Sequence, residues 1–349
     1  MAGFDRLVLR SLAIGFAGGG ALTLAGLPGG WVAGSMLAVA VAALSGVKVP
    51  LAAPIRNVGF LVVGIAMGSG VTPETIARLP SWPITLAMVV VSLPVIVGVV
   101  YTYLNRMVGW NRATAFLSSL PGALSFLVAL APSTDADVPR VAIVQSFRVA
   151  MLVALLPIVA LFVGEPVTTP LASNSLGLAD AVMLYGGGIG GAILAHLLGV
   201  PGGLLVGGLF VSALLHGSGA VVGVPPDWLS VAGFVILGTL VGSRFTGTSW
   251  SQLGSVVWVS LVSFVLSAGL AASIAIFASW ITGLDLMKLI LALAPGGLEV
   301  MVVLAFALDL DPAFVAAHHL ARFLLIALTA PFLLRLFHIP MRASNSPTS

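Results

Sequence analysis

Cysteine is absent from the 349 residues and charge is scarce: Lys and Arg number 14, Asp and Glu 11, together 7% of the chain. The first absence excludes disulfides, iron–sulfur clusters and thiolate metal sites. The second excludes a soluble domain of any size, since such domains carry roughly 25% charge. No basic cluster with interleaved aromatics occurs, so direct nucleic-acid binding has no footprint. The chain also lacks a G-x-S-x-G elbow and an H-E-x-x-H pair, and its five histidines show no metal-ligand spacing. No enzyme, metal or cofactor is expected.

What fills the chain is apolar: 59% of residues are hydrophobic and the mean hydropathy is +1.18. An all-α polytopic membrane protein follows, because each segment of about 20 apolar residues can cross about 30 Å of hydrocarbon. Such segments lie near 7–26, 28–46, 54–70, 81–104, 112–131 and 138–163, and again near 181–199, 201–219, 228–243, 251–279, 286–306 and 312–337. The polar stretch 164–180 reads as a linker between membrane units 1–163 and 181–340, and 341–349 as a disordered tail.

The second series repeats the first. Gly26-Leu27-Pro28-Gly29-Gly30 recurs as Gly199-Val200-Pro201-Gly202-Gly203, displaced by 173. At a displacement of 174, Gly64 and Gly68 meet Gly238 and Gly242, Pro121-Gly122 meets Pro295-Gly296, and Arg148 meets Arg322. The counterpart of residues 15–27 lies in mid-chain, so the N-terminal apolar run is expected to be structural rather than a cleaved signal. Two tandem repeats of five or six transmembrane helices are expected, about 10–12 in all. Five crossings per repeat would make them inverted and six parallel. The positive-inside rule gives nine basic residues against three for twelve crossings, and ten against two if the broken segments are re-entrant. Both counts put the N-terminus in the cytoplasm, and neither decides the topology.

Two breaks interrupt this pattern. Ala294-Pro295-Gly296-Gly297-Leu298-Glu299 lies inside the apolar run 286–306, and Leu120-Pro121-Gly122-Ala123-Leu124-Ser125 inside 112–131. Proline and glycine stop a helix where lipid offers no hydrogen bonds, so such a break must face protein or a water-filled cavity. Broken helices in matching places point to a transporter's binding site. Arg148 and Arg322 sit mid-segment, where an arginine costs about 3 kcal/mol or more. They serve either to lock the freed carbonyls of the breaks or to bind an anion. Glu299 matches Ser125, and His319 matches Gln145, so one half alone carries a titratable pair. That pair suits proton coupling, while the alternative is a Glu299–Arg322 ion pair holding two helices together. Asp137 and Asp311 read as helix caps, and the Gly-x-x-x-Gly pairs as packing surfaces.

With Gly26-Leu27-Pro28-Gly29-Gly30-Trp31, Gly199-Val200-Pro201-Gly202-Gly203-Leu204, the break at 294–299 and a closing helix bearing Arg322, the chain resembles the AbrB family of bacterial membrane proteins over about residues 10–337. That family is also labelled ammonia monooxygenase or membrane regulator of gene expression. Nothing resembles the soluble β-rich DNA-binding domain of the same name. The first repeat departs from the family pattern at Ala123 and Ser125. The architecture is similar to inverted-repeat transporters of the cation/proton antiporter and anion transporter superfamily, which implies alternating access. The resemblance implies a multi-pass protein of the bacterial inner membrane. The function expected is secondary transport or export of a small solute, anionic and proton-coupled in its sharpest form. Pro121, Gly122, Ser125, Gln145, Arg148, Pro295, Gly296, Gly297, Glu299, His319 and Arg322 would form the binding and coupling site. The alternative is a membrane-embedded regulator acting through a partner or through metabolite levels. Expected partners are the lipid bilayer, a small-molecule solute and, optionally, a second copy of the chain.

Overall fold

The computed structural model of the chain describes residues 2–71, 80, 82–122, 134–163, 176–336 and 339. Ser125, most of the linker and the C-terminal tail lie outside the described residues. The described residues form helices α1 (Ala2–Leu24), α2 (Gly30–Leu44), α3 (Ala53–Gly68), α4 (Trp82–Thr102), α5 (Arg112–Ser119), α6 (Val138–Val163), α7 (Leu178–Leu197) and α8 (Gly203–Gly217). There follow α9 (Asp227–Ser243), α10 (Trp250–Thr282), α11 (Leu286–Leu293), α12 (Leu298–Ala307) and α13 (Pro312–Leu336). A π turn, Tyr103–Met107, continues α4. Six of these helices are long and apolar enough to cross a membrane, and five shorter apolar ones accompany them. The polytopic all-helical class is therefore observed.

The run 286–306 is not one span. It splits into α11, about 12 Å long, and α12, about 15 Å, each half of what the hydrocarbon requires. Lys288, in the first turn of α11, bonds Asp311, just past α12, at 2.7 Å. Two residues on opposite faces of a bilayer could not touch, so the chain leaves where it came in. The first half repeats this geometry: Asn111 donates to the Asp135 carbonyl at 2.8 Å, and the Asp137 amide to Thr114 Oγ1 at 2.8 Å. The second break is the tip of a re-entrant hairpin, and in the first half Asn111 and Thr114 meet Asp135 and Asp137, so there too the chain returns to the face it entered, which excludes the twelve-crossing arrangement. Residues 123–133, which follow the first break, lie outside the described residues.

The hairpins open on opposite faces. Helix α4 starts beside the mouth of the second: Trp82 meets Phe314 edge-to-face at 5.4 Å, and Thr85 Oγ1 is 2.8 Å from His318 Nε2. It ends beside the mouth of the first, where Asn105 donates to the Trp110 carbonyl at 2.8 Å. Helix α10 makes the reverse journey, about 50 Å over 33 residues. Near its start Val256 joins a cluster with Leu104, Trp110 and Ala115; near its end Ser279 bonds the Leu284 carbonyl, just ahead of α11. The face holding the first mouth also holds the N-terminal end, since Arg10 reaches the Lys48 carbonyl and Val49 packs in a cluster with Phe245.

Glycines set how closely the remaining helices approach. A β-carbon on Gly34 of α2 would lie 2.2 Å from the Gly18 carbonyl oxygen of α1; one on Gly207 of α8 would lie 2.3 Å from that of Gly191 in α7. Gly64 meets the Leu205 carbonyl and Gly238 the Val32 carbonyl in the same manner, joining α3 to α8 and α9 to α2. Backbone contact of this kind is how helices associate where lipid removes the hydrophobic incentive. The packing reading of these glycines holds.

Candidate functional site

The second hairpin begins at Asp285, whose carboxylate accepts from the Lys288 amide and starts α11. Within the turn of the hairpin, the carbonyls of Ala294 and Gly296 have no helical donor. A buried carbonyl without a donor costs about as much as a lost hydrogen bond. Arg322, buried on α13, supplies the donors: Nη1 to the Ala294 oxygen at 2.6 Å and Nη2 to the Gly296 oxygen at 2.7 Å. Nη2 also approaches His319 Nδ1 at 2.6 Å, and His319 Nε2 lies 2.9 Å from the Leu291 oxygen. An arginine only donates and a carbonyl only accepts, so this chain assigns His319 its Nε2–H tautomer.

The first tip is braced alike. Arg148 of α6 donates to the Leu120 oxygen at 2.8 Å, and Gln145 Nε2 to the oxygens of Leu117 and Leu120 at 2.8 and 3.0 Å. The Gln145 side-chain oxygen accepts from Arg148. Both arginines lie ten residues into their helices, about 15 Å below the mouth and hence near mid-membrane. There the tips touch. A β-carbon on Gly122 would stand 2.9 Å from the Gly296 oxygen and 3.6 Å from Arg322 Nη2. Gly122 also has φ 81, which L side chains rarely adopt.

Two cavities surround this junction. The inner, of about 280 Å³, is lined by Pro121, Gly122, Gly296, Gly297, Glu299, His319 and Arg322, with Gly199, Gly202 and Arg244. The outer, of about 490 Å³, adds Arg56, Asn57, Phe60 and His196 and shares Arg244, Glu299, Gly199 and Gly202 with the first. Arg56 at the start of α3, His196 at the end of α7 and Arg244 at the end of α9 all belong to the N-terminal face. The cavities thus form a path from that face to the tips. Towards the other face, Gly29 packs against Leu304, Ala307 and Leu308, and the rings of Phe234 and Phe306 lie 5.7 Å apart.

Glu299 stands in the first turn of α12, its Cγ 3.4 Å from where a Gly202 side chain would begin. The Gly297 cap offers no side-chain acceptor, so among the described residues the first amides of α12 have no side-chain cap, and Gly297, Leu298 and Glu299 at this positive end line the inner cavity. Arg56 is turned onto Asn57 Oδ1 at 3.0 and 3.2 Å.

Of the residues expected at the site, the cavity collects Pro121, Gly122, Gly296, Gly297, Glu299, His319 and Arg322. Gln145 and Arg148 stand behind the first tip, Pro295 lies within the second, and Ser125 is outside the described residues. The Glu299–Arg322 ion pair does not form: among the described residues the ion pairs are Arg140–Asp137 and Lys288–Asp311. Arg322 is instead taken up by the tip carbonyls, and the Glu299 carboxylate shares the lining of both cavities with Arg244. The caps at Asp137 and Asp311 are present, accepting from the amides of Arg140 and Phe314. Sequence reasoning missed Arg56, His196 and Arg244, having counted the two arginines as loop charges. The signal was there: at the repeat displacement they face Ser230, Thr23 and Gly70, so each breaks the symmetry as Glu299 does.

The family described as "Transition state regulatory protein AbrB" matches residues 31–338. The chain is 27% identical over 369 aligned positions to "Uncharacterized protein YhjN" of Bacillus subtilis (strain 168), covering 96% of this chain and 95% of that protein. It is 25% identical over 325 positions to "Putative regulator AbrB" of Escherichia coli (strain K12), covering 88% and 90%.

Proposed function

The chain belongs to the AbrB family, and we propose that it is a secondary carrier or exporter of a small anionic solute working by alternating access. The observation that carries this reading is the meeting of two hairpin tips at a cavity lined by Arg244, Arg322 and Glu299 and open to the N-terminal face. Irregular backbone at mid-membrane depth is tolerated where it lines such a cavity, and a carrier's site is expected there. The apolar contacts of α12 with Gly29 on the opposite side support reading this arrangement as one end state. The matched bracing of the tips by Arg148 and Arg322 supports an inverted duplication, with one half rocking against the other about the site.

By the ten-to-two count of basic residues, the N-terminal face is cytoplasmic in a bacterial inner membrane. The cavity lining holds three arginines against one carboxylate, which favours an anion, and Glu299 is the group that exchanges a proton. Sealed proteoliposomes incubated with a bacterial metabolite extract, and assayed for retained solutes by mass spectrometry, test this. The wild type is expected to accumulate at least one solute that Glu299→Gln and Arg322→Ala do not. Equal retention by all three and by protein-free liposomes would count against transport. A regulator, the word in one relative's name, would keep its signalling in both variants and hold a protein partner.

A further inference from the structure

We infer that the solute is a small organic acid whose carboxylate takes the place of Glu299 beside Arg244, one proton being taken up by Glu299 for each acid bound. The inference rests on the carrier reading and adds to it the chemical class of the cargo and the site of coupling.

Arg244 and Glu299 are the two charged residues common to both cavities, so a solute moving inward from the N-terminal face meets them together. Among the described residues the Arg244 guanidinium makes no hydrogen bond and no ion pair at contact distance, although its planar fork suits a carboxylate held by two parallel bonds. The other charged group common to both cavities is already a carboxylate. Glu299 therefore acts as a tethered stand-in for the cargo, and the start of α12, which carries no side-chain cap, lines the same inner cavity. Two carboxylates cannot share one guanidinium at low cost, because a like charge nearby disfavours ionisation. When the acid binds, Glu299 takes a proton from the water of the cavity and becomes neutral; the acid keeps its charge and pairs with Arg244.

The other charged groups around Glu299 leave this exchange intact. Arg322 is held by the Ala294 and Gly296 oxygens, and His319 Nδ1 is covered by Arg322, so neither can carry the proton. Arg56 is turned onto Asn57, and His196 lies exposed in the outer cavity, away from the tips. The rest of the inner lining is largely apolar, with Pro121, Pro201, Leu298 and Phe323. An acid with a short hydrocarbon body fits about 280 Å³ of such space better than inorganic phosphate does.

The test is thermal stabilisation of the full-length protein in detergent by isobutyrate, benzoate and succinate, with isobutyramide and inorganic phosphate as controls, titrated from pH 5.5 to 8.5. A ligand favouring the folded state raises its apparent stability. At least one carboxylate is expected to stabilise the wild type, its half-saturating concentration rising towards about tenfold per pH unit at the alkaline end, the limit for one coupled proton. Glu299→Gln should bind the same acid with that pH dependence removed, and Arg244→Gln should lose the stabilisation. Arg244→Lys, with the unliganded melting temperature as its folding control, should bind at least tenfold more weakly. Stabilisation by phosphate alone, by isobutyramide as well as isobutyrate, or by none of the probes would overturn the inference, as would an undiminished pH dependence in Glu299→Gln. Any of these leaves the carrier reading standing if the proteoliposomes still accumulate a solute.

Discussion

Arg148 and Arg322 have a single geometric task, each holding the carbonyls of its own hairpin tip from a point about 15 Å into a helix. An arginine does this because its donors are fixed in a plane and its charge is permanent. Lysine has one ammonium and cannot reach two carbonyls with the same geometry. Arg322→Lys is therefore expected to lower thermal stability by about 2 kcal/mol, the worth of one or two hydrogen bonds to a charged group, and to abolish solute accumulation. Arg148→Lys should cost about the same stability while leaving the inner cavity's lining in place, since Arg148 is not part of it. Unchanged melting temperatures in both would remove the bracing role. The sequence carried half of this in advance. Two arginines in matching apolar segments had to meet polar partners, and the carbonyls of the breaks were the nearest candidates. It could not say that Arg322 would be used up by them and leave Glu299 to Arg244, because that depends on where α9 ends relative to α12.

At the level of elements, the hairpins and the glycine contacts differ in how visible they were. The spacing of Gly64 and Gly68 or Gly238 and Gly242 announces close helix approach, though not which helix is approached. In the fold the partners cross between halves, α3 against α8 and α2 against α9. A clean contrast tests this. Gly34→Ala and Gly207→Ala would drive a β-carbon into a backbone carbonyl at 2.2–2.3 Å and are expected to destabilise by several kcal/mol. Gly98→Ala and Gly186→Ala meet nothing within 4 Å and should be neutral or gain up to about 1 kcal/mol. Equal effects of the two sets would contradict the packing. The re-entrant character of the breaks was not legible, because 286–306 is long enough to read as a whole span. Only the contact of Lys288 with Asp311 folds it back.

On the scale of the molecule, two hairpins enter from opposite faces and end on one another, with the long helices α4 and α10 running past them in opposite senses. This leaves a seam at mid-depth whose walls belong to both halves. In the carrier we propose, a small relative tilt of the halves would close the path from the N-terminal face and open one from the other. A repeat was readable in the sequence, and charge counting left its sense open, since both topologies scored alike. The residues that give the site its chemistry are those that break the repeat: Glu299, Arg244, Arg56 and His196.

Alternating access requires the seam to face each side in turn. The natural absence of cysteine permits a direct measurement with Gly297→Cys, a lining position with ordinary φ −79 and only Glu299, at 4.0 Å, near its added β-carbon. A membrane-impermeant maleimide applied to right-side-out and inside-out vesicles should label this thiol from both sides, with Arg56→Cys labelled only from the cytoplasmic side. Labelling of Gly297→Cys from one side alone, under every solute and pH condition tried, would contradict alternating access.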